Sequence, residues 1–302
     1  MQKTMRKEFC KSGRRVRELI ETGILFALLA AGPSARGHGE FHGVILAADQ
    51  DIAKDPRNPE LYLRRGELFR IHQQFDSARA DIATAERLSP SLLALDVAKA
   101  RLFLDTGWPL SARAHLDHFL QASPRHLDAL VLRSQAWNRL GQPLFAAEDL
   151  NRAVAVSPEG APDLYIERAR TLASAGLDQI QAAIQGLDDG VKRMGPLVTL
   201  ELTAIELELR RNNHDAAIAR VDRVLERSPR KESWLARKAE ILLQAGRGAE
   251  AKQAYTAALS ALNTLPPARR NVPAAVDLAR RIQLELDHLN APGSALPERS
   301  NP

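Results

Sequence analysis

An all-α fold made of repeated helix pairs is predicted by three features of the sequence. Proline recurs after serine at even spacing, at Pro90, Pro124 and Pro158, in the endings RLSP, QASP and AVSP; a fourth, ERSP at Pro229, stands slightly more than two such intervals further on. Alanine and leucine dominate the apolar share and aromatic residues make up only 5% of the chain, a mixture that loses little side-chain freedom in a helix. β-Branched and aromatic residues occur singly and never alternate along a run, so almost no strand is expected.

In chain order, residues 1–37 read as a secretory signal: a basic stretch through Arg17, an apolar core from Ile24 to Ala31, then a break at Gly32 and Pro33. Eight apolar residues are too few for a spanning helix, which needs roughly 20, so no stable membrane insertion is expected after cleavage. Small residues at Ala35 and Gly37 place a cut that makes His38 the first mature residue; a cut after Gly32 is the alternative. Arg14 and Arg15 weakly suggest the twin-arginine route, but Arg17 interrupts the apolar pair that should follow, which favours the general route. The single cysteine, Cys10, precedes the apolar core and is not placed for lipid attachment. The mature chain is expected in the periplasm or outside the cell, held by packing with no disulfide.

The net charge of +5 belongs wholly to this leader, which has eight basic residues against three acidic; the remainder is balanced at 34 of each. The body therefore lacks the net basic footprint of a nucleic-acid binder, and no nucleic-acid partner is expected.

From Pro59 as position 1, the first repeat places Gly66, Ala78, Ala85 and Pro90 at positions 8, 20, 27 and 32. The second, from Leu93, has Ala100, Ala112, Phe119 and Pro124, with Phe119 the one departure; the third, from Leu127, has Ser134, Ala146, Ala153 and Pro158. The fourth, from Pro162, carries Ala169 at position 8, then two extra residues before Ala183 and Gly190 restore the register. The fifth, from Val198, gives Ile205, Ala217, Val224 and Pro229; the sixth, from Glu232, gives Ala239, Ala251 and Ala258 without a closing proline. This pattern of small residues and proline, with a period of about 34 residues, resembles the tetratricopeptide repeat (TPR). The resemblance, over about residues 41–290, implies a right-handed α-α superhelix of about six helix pairs plus capping helices. Small residues at 8, 20 and 27 let paired helices approach closely. Position 15 is Gly107, Gly141, Gly176, Gly246 or Asn212, as expected where the first helix ends in a left-handed residue; Gln73 breaks that rule.

The expected organisation is thus a signal peptide at 1–37, a capping helix at 41–58, repeats at 59–92, 93–126, 127–160, 162–197, 198–231 and 232–263, a second capping helix at 272–290 and a disordered tail at 291–302. In the C-terminal cap, Val276, Ala279, Ile282, Leu286 and Leu289 form the apolar stripe. The two extra residues in the fourth repeat are expected between its helices, and Ala161 in the link before it, where insertions cost least.

The resemblance also implies where a ligand would sit. The concave face of such an array comes from positions 2, 5, 9, 12 and 13 of the first helices. Here these include Leu63, Glu67 and Arg70; Val97, Arg101 and Leu104; Val131, Gln135 and Asn138; Ile166 and Arg170; Leu202, Glu206 and Leu209; and Glu240 and Leu243. Apolar anchors among charges of both signs suit an extended or helical segment of a partner protein. Some members of the family grip a C-terminal carboxylate with Lys at position 5 and Asn at 9, a mode that Leu63 and Glu67 argue against.

A protein or peptide partner, no catalysis and no cofactor are the expectation: a non-catalytic scaffold of the cell envelope or, as the alternative, a permanent subunit of an envelope assembly or export complex. His115 and His118 share a helix face without a companion carboxylate motif, and surface placement explains them. Asp188 and Asp189 are adjacent and point apart on a helix, so they make no acid/base couple. A metal bound by His38 as free N-terminus with His42 is a minor alternative; otherwise no metal is expected.

Overall fold

The structure, a computed structural model, describes residues 37–157 and 160–291. The expected signal segment before Gly37, the Pro158 ending and the tail from residue 292 lie outside the described residues. Among the described residues the protein is all-α and contains no strand. It divides into two compact units, one ending at Leu92 and the other starting at Leu93.

The first unit holds α1 (Gly37–Lys54), α2 (Pro59–Ile71) and α3 (Phe75–Leu88). Ala48 and Ile52 bury one side of α1. Asn58 starts α2 by accepting a hydrogen bond from the Glu60 amide at 3.1 Å, which satisfies one of the otherwise orphaned donors of the first turn. Pro59 follows at the one place where a missing N–H costs nothing.

The second unit runs α4 (Ala94–Asp105), α5 (Pro109–Ala122), α6 (Leu127–Arg139), α7 (Pro143–Val156), α8 (Pro162–Ala175), a 3₁₀ turn (Leu177–Gln179), α9 (Ile180–Met194), α10 (Val198–Arg210), α11 (His214–Arg227), α12 (Glu232–Gln244), α13 (Gly248–Asn263), a short α14 (Pro267–Arg270) and α15 (Pro273–Asn290). Consecutive helices pack in pairs, α4 on α5 through α12 on α13, and α15 covers α13.

The small positions do what their spacing demands. Ala78, Ala112, Ala146, Ala183, Ala217 and Ala251 are all buried, and a Cβ on Gly66 would come within 3.3 Å of the Ala78 carbonyl oxygen. Phe119, the large residue at a small position, is also buried; it packs with Leu116 and Leu120 and meets His126 edge-on with ring centroids 4.9 Å apart.

Gly107, Gly141, Gly246 and Asn212 close the first helices of their pairs with φ between 57° and 81°. Gln73, the departure from the rule, does the same at φ 60°: the turn imposes the left-handed conformation on a residue with a Cβ. Gly176 differs, lying at φ 155° and ψ 167°, a region open essentially to glycine alone. The two extra residues of the fourth repeat here become the 3₁₀ turn and no left-handed cap.

Two further expectations are corrected. Leu104 is 3% exposed and belongs to the core with Leu116 and Leu130, so it cannot meet a partner. On α15 it is Ala275, with Ile282 and Leu286, that is buried, whereas Val276 is 52% exposed; Ala275 stands two turns before Ile282 on the same face of the helix.

A ladder of charges runs through the pairs. Position 7 of the first helix is Arg65, Lys99, Arg133, Arg168 and Lys238 in five repeats. Arg65 grips Asp81 of its own pair at 2.8 and 2.6 Å and Asp49 of α1 at 2.6 Å. Arg133 repeats the arrangement with Asp149 and Asp117, and Lys238 reaches back to Asp222 at 2.7 Å. In the fifth repeat position 7 is Ala204, and the cation moves to Arg220 on the second helix, which binds Asp188 at 2.7 and 3.0 Å and the buried Glu201 at 3.3 Å. Arg168 breaks the series. Its counterpart on α9 is Gly186, over which the guanidinium lies, and its Nε is buried without a hydrogen bond.

Candidate functional site

The expected partner-facing residues fall into three kinds of environment. Some are spent within the protein. On α2, the Arg70 guanidinium donates to the Glu67 carboxylate at 2.7 and 2.9 Å, beside a half-buried Leu63. In the second unit Arg101 pairs with Asp128 and Glu240 with Arg237 at 3.0 Å. Others belong largely to the core: Val97, Val131, Leu209 and Leu243 are half-buried against it, as is Ile166. The remainder face outward. Gln135 is half-buried; Asn138, Arg170, Leu202 and Glu206 are exposed.

Of these sixteen, the structure brings Asn138, Ile166 and Arg170 to one cleft of about 1390 Å³ between the α6–α7 turn, the start of α7 and α8. Asn138 donates its side-chain amide to the Thr171 hydroxyl at 3.1 Å, which ties α6 to α8 across the cleft floor. The rest of the wall is mixed: Leu144, Phe145 and Glu148 come from the second helix α7, whereas Asp163 holds groove position 2 of the first helix α8 and Glu167 stands one turn further along it. Phe145 is 57% exposed, although its ring stacks on Trp137 with centroids 4.9 Å apart. Trp137 in turn lies 4.9 Å beneath the Arg113 guanidinium, a cation–π contact that holds the ring still. The sequence signal is the pair Leu144–Phe145 directly after Pro143, two large apolar residues in the exposed first turn of a second helix.

Electrostatically the cleft is one-sided. Burial pushes the Glu167 carboxyl above the usual glutamate value, and the negative charge of Asp163 one turn earlier pushes it further. Two carboxylates one turn apart on the same helix face repel one another.

His115 and His118 are structural. On α5, both approach the Asp96 carboxylate of α4 through Nδ1, at 2.8 and 2.6 Å, which joins the helices of that pair. Among the described residues no group of three or more His, Cys, Asp or Glu is arranged to hold a metal. The His38 side chain lies outside the described residues. Asp188 and Asp189 serve different cations, Arg220 at 2.7 Å and Lys192 at 3.2 Å. No described helix is long and apolar enough to cross a membrane.

No curated protein matches the chain. Among solved structures, the C-terminal part of a TPR repeat-containing protein from Cytophaga hutchinsonii aligns over 80% of this chain and 95% of its own, with TM-score 0.59 and 13% identity. PilW, a type IV pilus biogenesis factor, aligns over 64% of this chain and 87% of its own, with TM-score 0.51 and 20% identity. Residues 202–266, spanning most of α10 to α13, match the tetratricopeptide repeat family model. That match makes residues 202–266 a tetratricopeptide-repeat segment, and the helix pairs before it share its pairing and its buried small positions.

Proposed function

We propose that the protein is a non-catalytic scaffold of the cell envelope that binds a segment of a partner protein, with the cleft between α6, α7 and α8 as its principal seat. The observation that carries this reading is the exposed Phe145 ring beside Leu144, fixed from behind by Trp137 and opening onto Asn138, Ile166 and Arg170. An aromatic anchor held rigid in a concave wall binds a partner side chain with little loss of freedom, which is what interface hot spots require. The envelope setting rests on the N-terminal basic stretch followed by the apolar core Ile24 to Ala31.

The test is capture from an envelope extract of the source organism with the purified mature protein. A stoichiometric partner that is lost with Phe145→Glu and retained with Val276→Glu, a change at an exposed site elsewhere, supports the reading. Equal capture by both variants, or none by the unaltered protein, overturns it. N-terminal sequencing of the chain from the envelope fraction checks the leader, with His38 expected first.

A second reading is favoured by a separate observation: Trp108, Leu110 and Leu177 are also exposed near the turns within helix pairs of the second unit. Such an apolar edge suits a permanent subunit of a larger assembly. Native size-exclusion mass separates the two, because a permanent subunit elutes with its complex and a transient scaffold alone.

A further inference from the structure

We infer that the cleft between α6, α7 and α8 accepts a protein segment in which a lysine or arginine stands beside a large apolar residue. The inference rests on the partner-binding reading and specifies the chemistry of the partner. The cleft wall carries the carboxylates of Glu148, Asp163 and Glu167 against the single guanidinium of Arg170. Elsewhere in the protein the buried carboxylates hold their own cations: Asp149 has Arg133 at 2.6 Å and Glu201 has Arg223 at 3.1 Å. Glu167 is the exception. It is half-buried beside Asp163, and among the described residues no cation pairs with either. Glu148 is met by the neutral Asn151, at 3.4 Å.

A carboxylate withdrawn from water beside a like charge gains from any cation that enters. The raised proton affinity of Glu167 reports the same deficit. The neighbouring wall selects the cation's carrier. Leu144 and Phe145 are both more than half exposed, so a small hydrated ion would leave their apolar surface wet. A segment with an apolar side chain next to its lysine or arginine covers that surface and neutralises the carboxylates together.

Fluorescence anisotropy with the full-length protein and three labelled peptides tests this. Each peptide carries a Leu–Phe pair, flanked by lysines, by glutamines or by glutamates. The lysine peptide is expected to bind at least about tenfold more tightly than the glutamate peptide, a difference that shrinks as salt rises. Glu167→Gln is expected to weaken the lysine peptide by about tenfold, the scale of one charge-assisted contact, and to leave the glutamine peptide unchanged. Phe145→Ala should weaken both. Equal or tighter binding of the glutamate peptide, or an unaltered lysine affinity in Glu167→Gln, overturns the inference while leaving the partner-binding reading intact. Sedimentation showing self-association that Phe145→Ala abolishes would name a second copy as the occupant and overturn it too. Failure of all three peptides to bind also overturns it, whereas the partner-binding reading fails only if capture from the extract fails.

Discussion

Arg133 holds Asp149 through two parallel hydrogen bonds, Nε to Oδ2 at 2.8 Å and Nη2 to Oδ1 at 2.6 Å, and donates from Nη1 to Asp117 at 2.9 Å. One guanidinium thereby joins both helices of its own pair to the pair before it. Asp149 is buried, so loss of Arg133 leaves its charge away from water with only the longer contact to Arg152, at 3.5 Å. Arg133→Met is expected to cost about 3 kcal/mol in urea unfolding, in the range for breaking a buried ion pair from one side. The double variant Arg133→Met with Asp149→Leu should recover most of that loss, because no charge is then left buried and unpaired.

Arg168 occupies the same repeat position with the opposite consequence. Its Nε is buried and unbonded, and Gly186 supplies no carboxylate. Arg168→Met is therefore expected to leave stability unchanged or raise it by up to about 1 kcal/mol, since an unsatisfied donor is removed and the aliphatic stem is kept. A clear loss of stability in the same urea assay, comparable to that of Arg133→Met, would contradict this account.

Gln73 sits at φ 60° in an exposed turn. An L-residue there bears about 1–2 kcal/mol of strain that glycine avoids, offset in part by glycine's greater freedom in the unfolded chain. Gln73→Gly should raise the thermal midpoint. Gly141→Ala should lower it by conformation alone, because a Cβ at Gly141, with φ 69°, would meet nothing within 4 Å.

The Glu167 carboxyl has a folded-state pKa above its usual value of 4.5. A carboxylic acid shifted upward favours the folded state when protonated, so its charge costs stability above the folded pKa. Glu167→Gln is expected to be more stable than the unaltered protein at pH 7. That advantage should shrink as the pH falls through the folded pKa and vanish below the unfolded one. Melting curves between pH 3.5 and 7.5 read the trend, and an advantage independent of pH would exclude the titration of Glu167 as its source.

Much of the fold is legible in the sequence because its determinants are local or periodic. The Ser-Pro endings at Pro90, Pro124 and Pro229 stop helices by removing a backbone donor, and each buried alanine marks a close approach, so spacing alone sets the register. Phe119 and Gln73 depart from the pattern without breaking it. A neighbouring space can absorb a ring, and a well-determined turn can force a left-handed residue. Val276 and Ala275 show the limit of periodicity, since spacings of three and of four residues from Ala279 both fit a helical stripe and only packing chooses between them. Leu104 shows it again: position 12 faces the groove only if no adjacent pair covers it. The charge ladder is hidden in the sequence because its partners lie on separate helices, more than a helix length apart along the chain, and nothing in one helix announces the other. The cleft is hidden for the same reason, as its wall is shared between the α6–α7 turn, the start of α7 and α8.

The missing rung at Arg168 has a consequence for how the array opens. Within the second unit, carboxylates shared with Arg133, Arg220 and Lys238 make neighbouring pairs rise and fall as one cooperative block. At the junction of α6–α7 with α8–α9 the position-7 cation makes no such link, since Arg168 lies over Gly186, and Asn138 donates to the Thr171 hydroxyl instead. Amide exchange in α8 and α9 should therefore uncouple from exchange in α6 and α7 before the other junctions of that unit part. Because the cleft spans the same seam, an occupant gripping both sides would act as the absent rivet, and protection against exchange would rise on both sides of the gap at once.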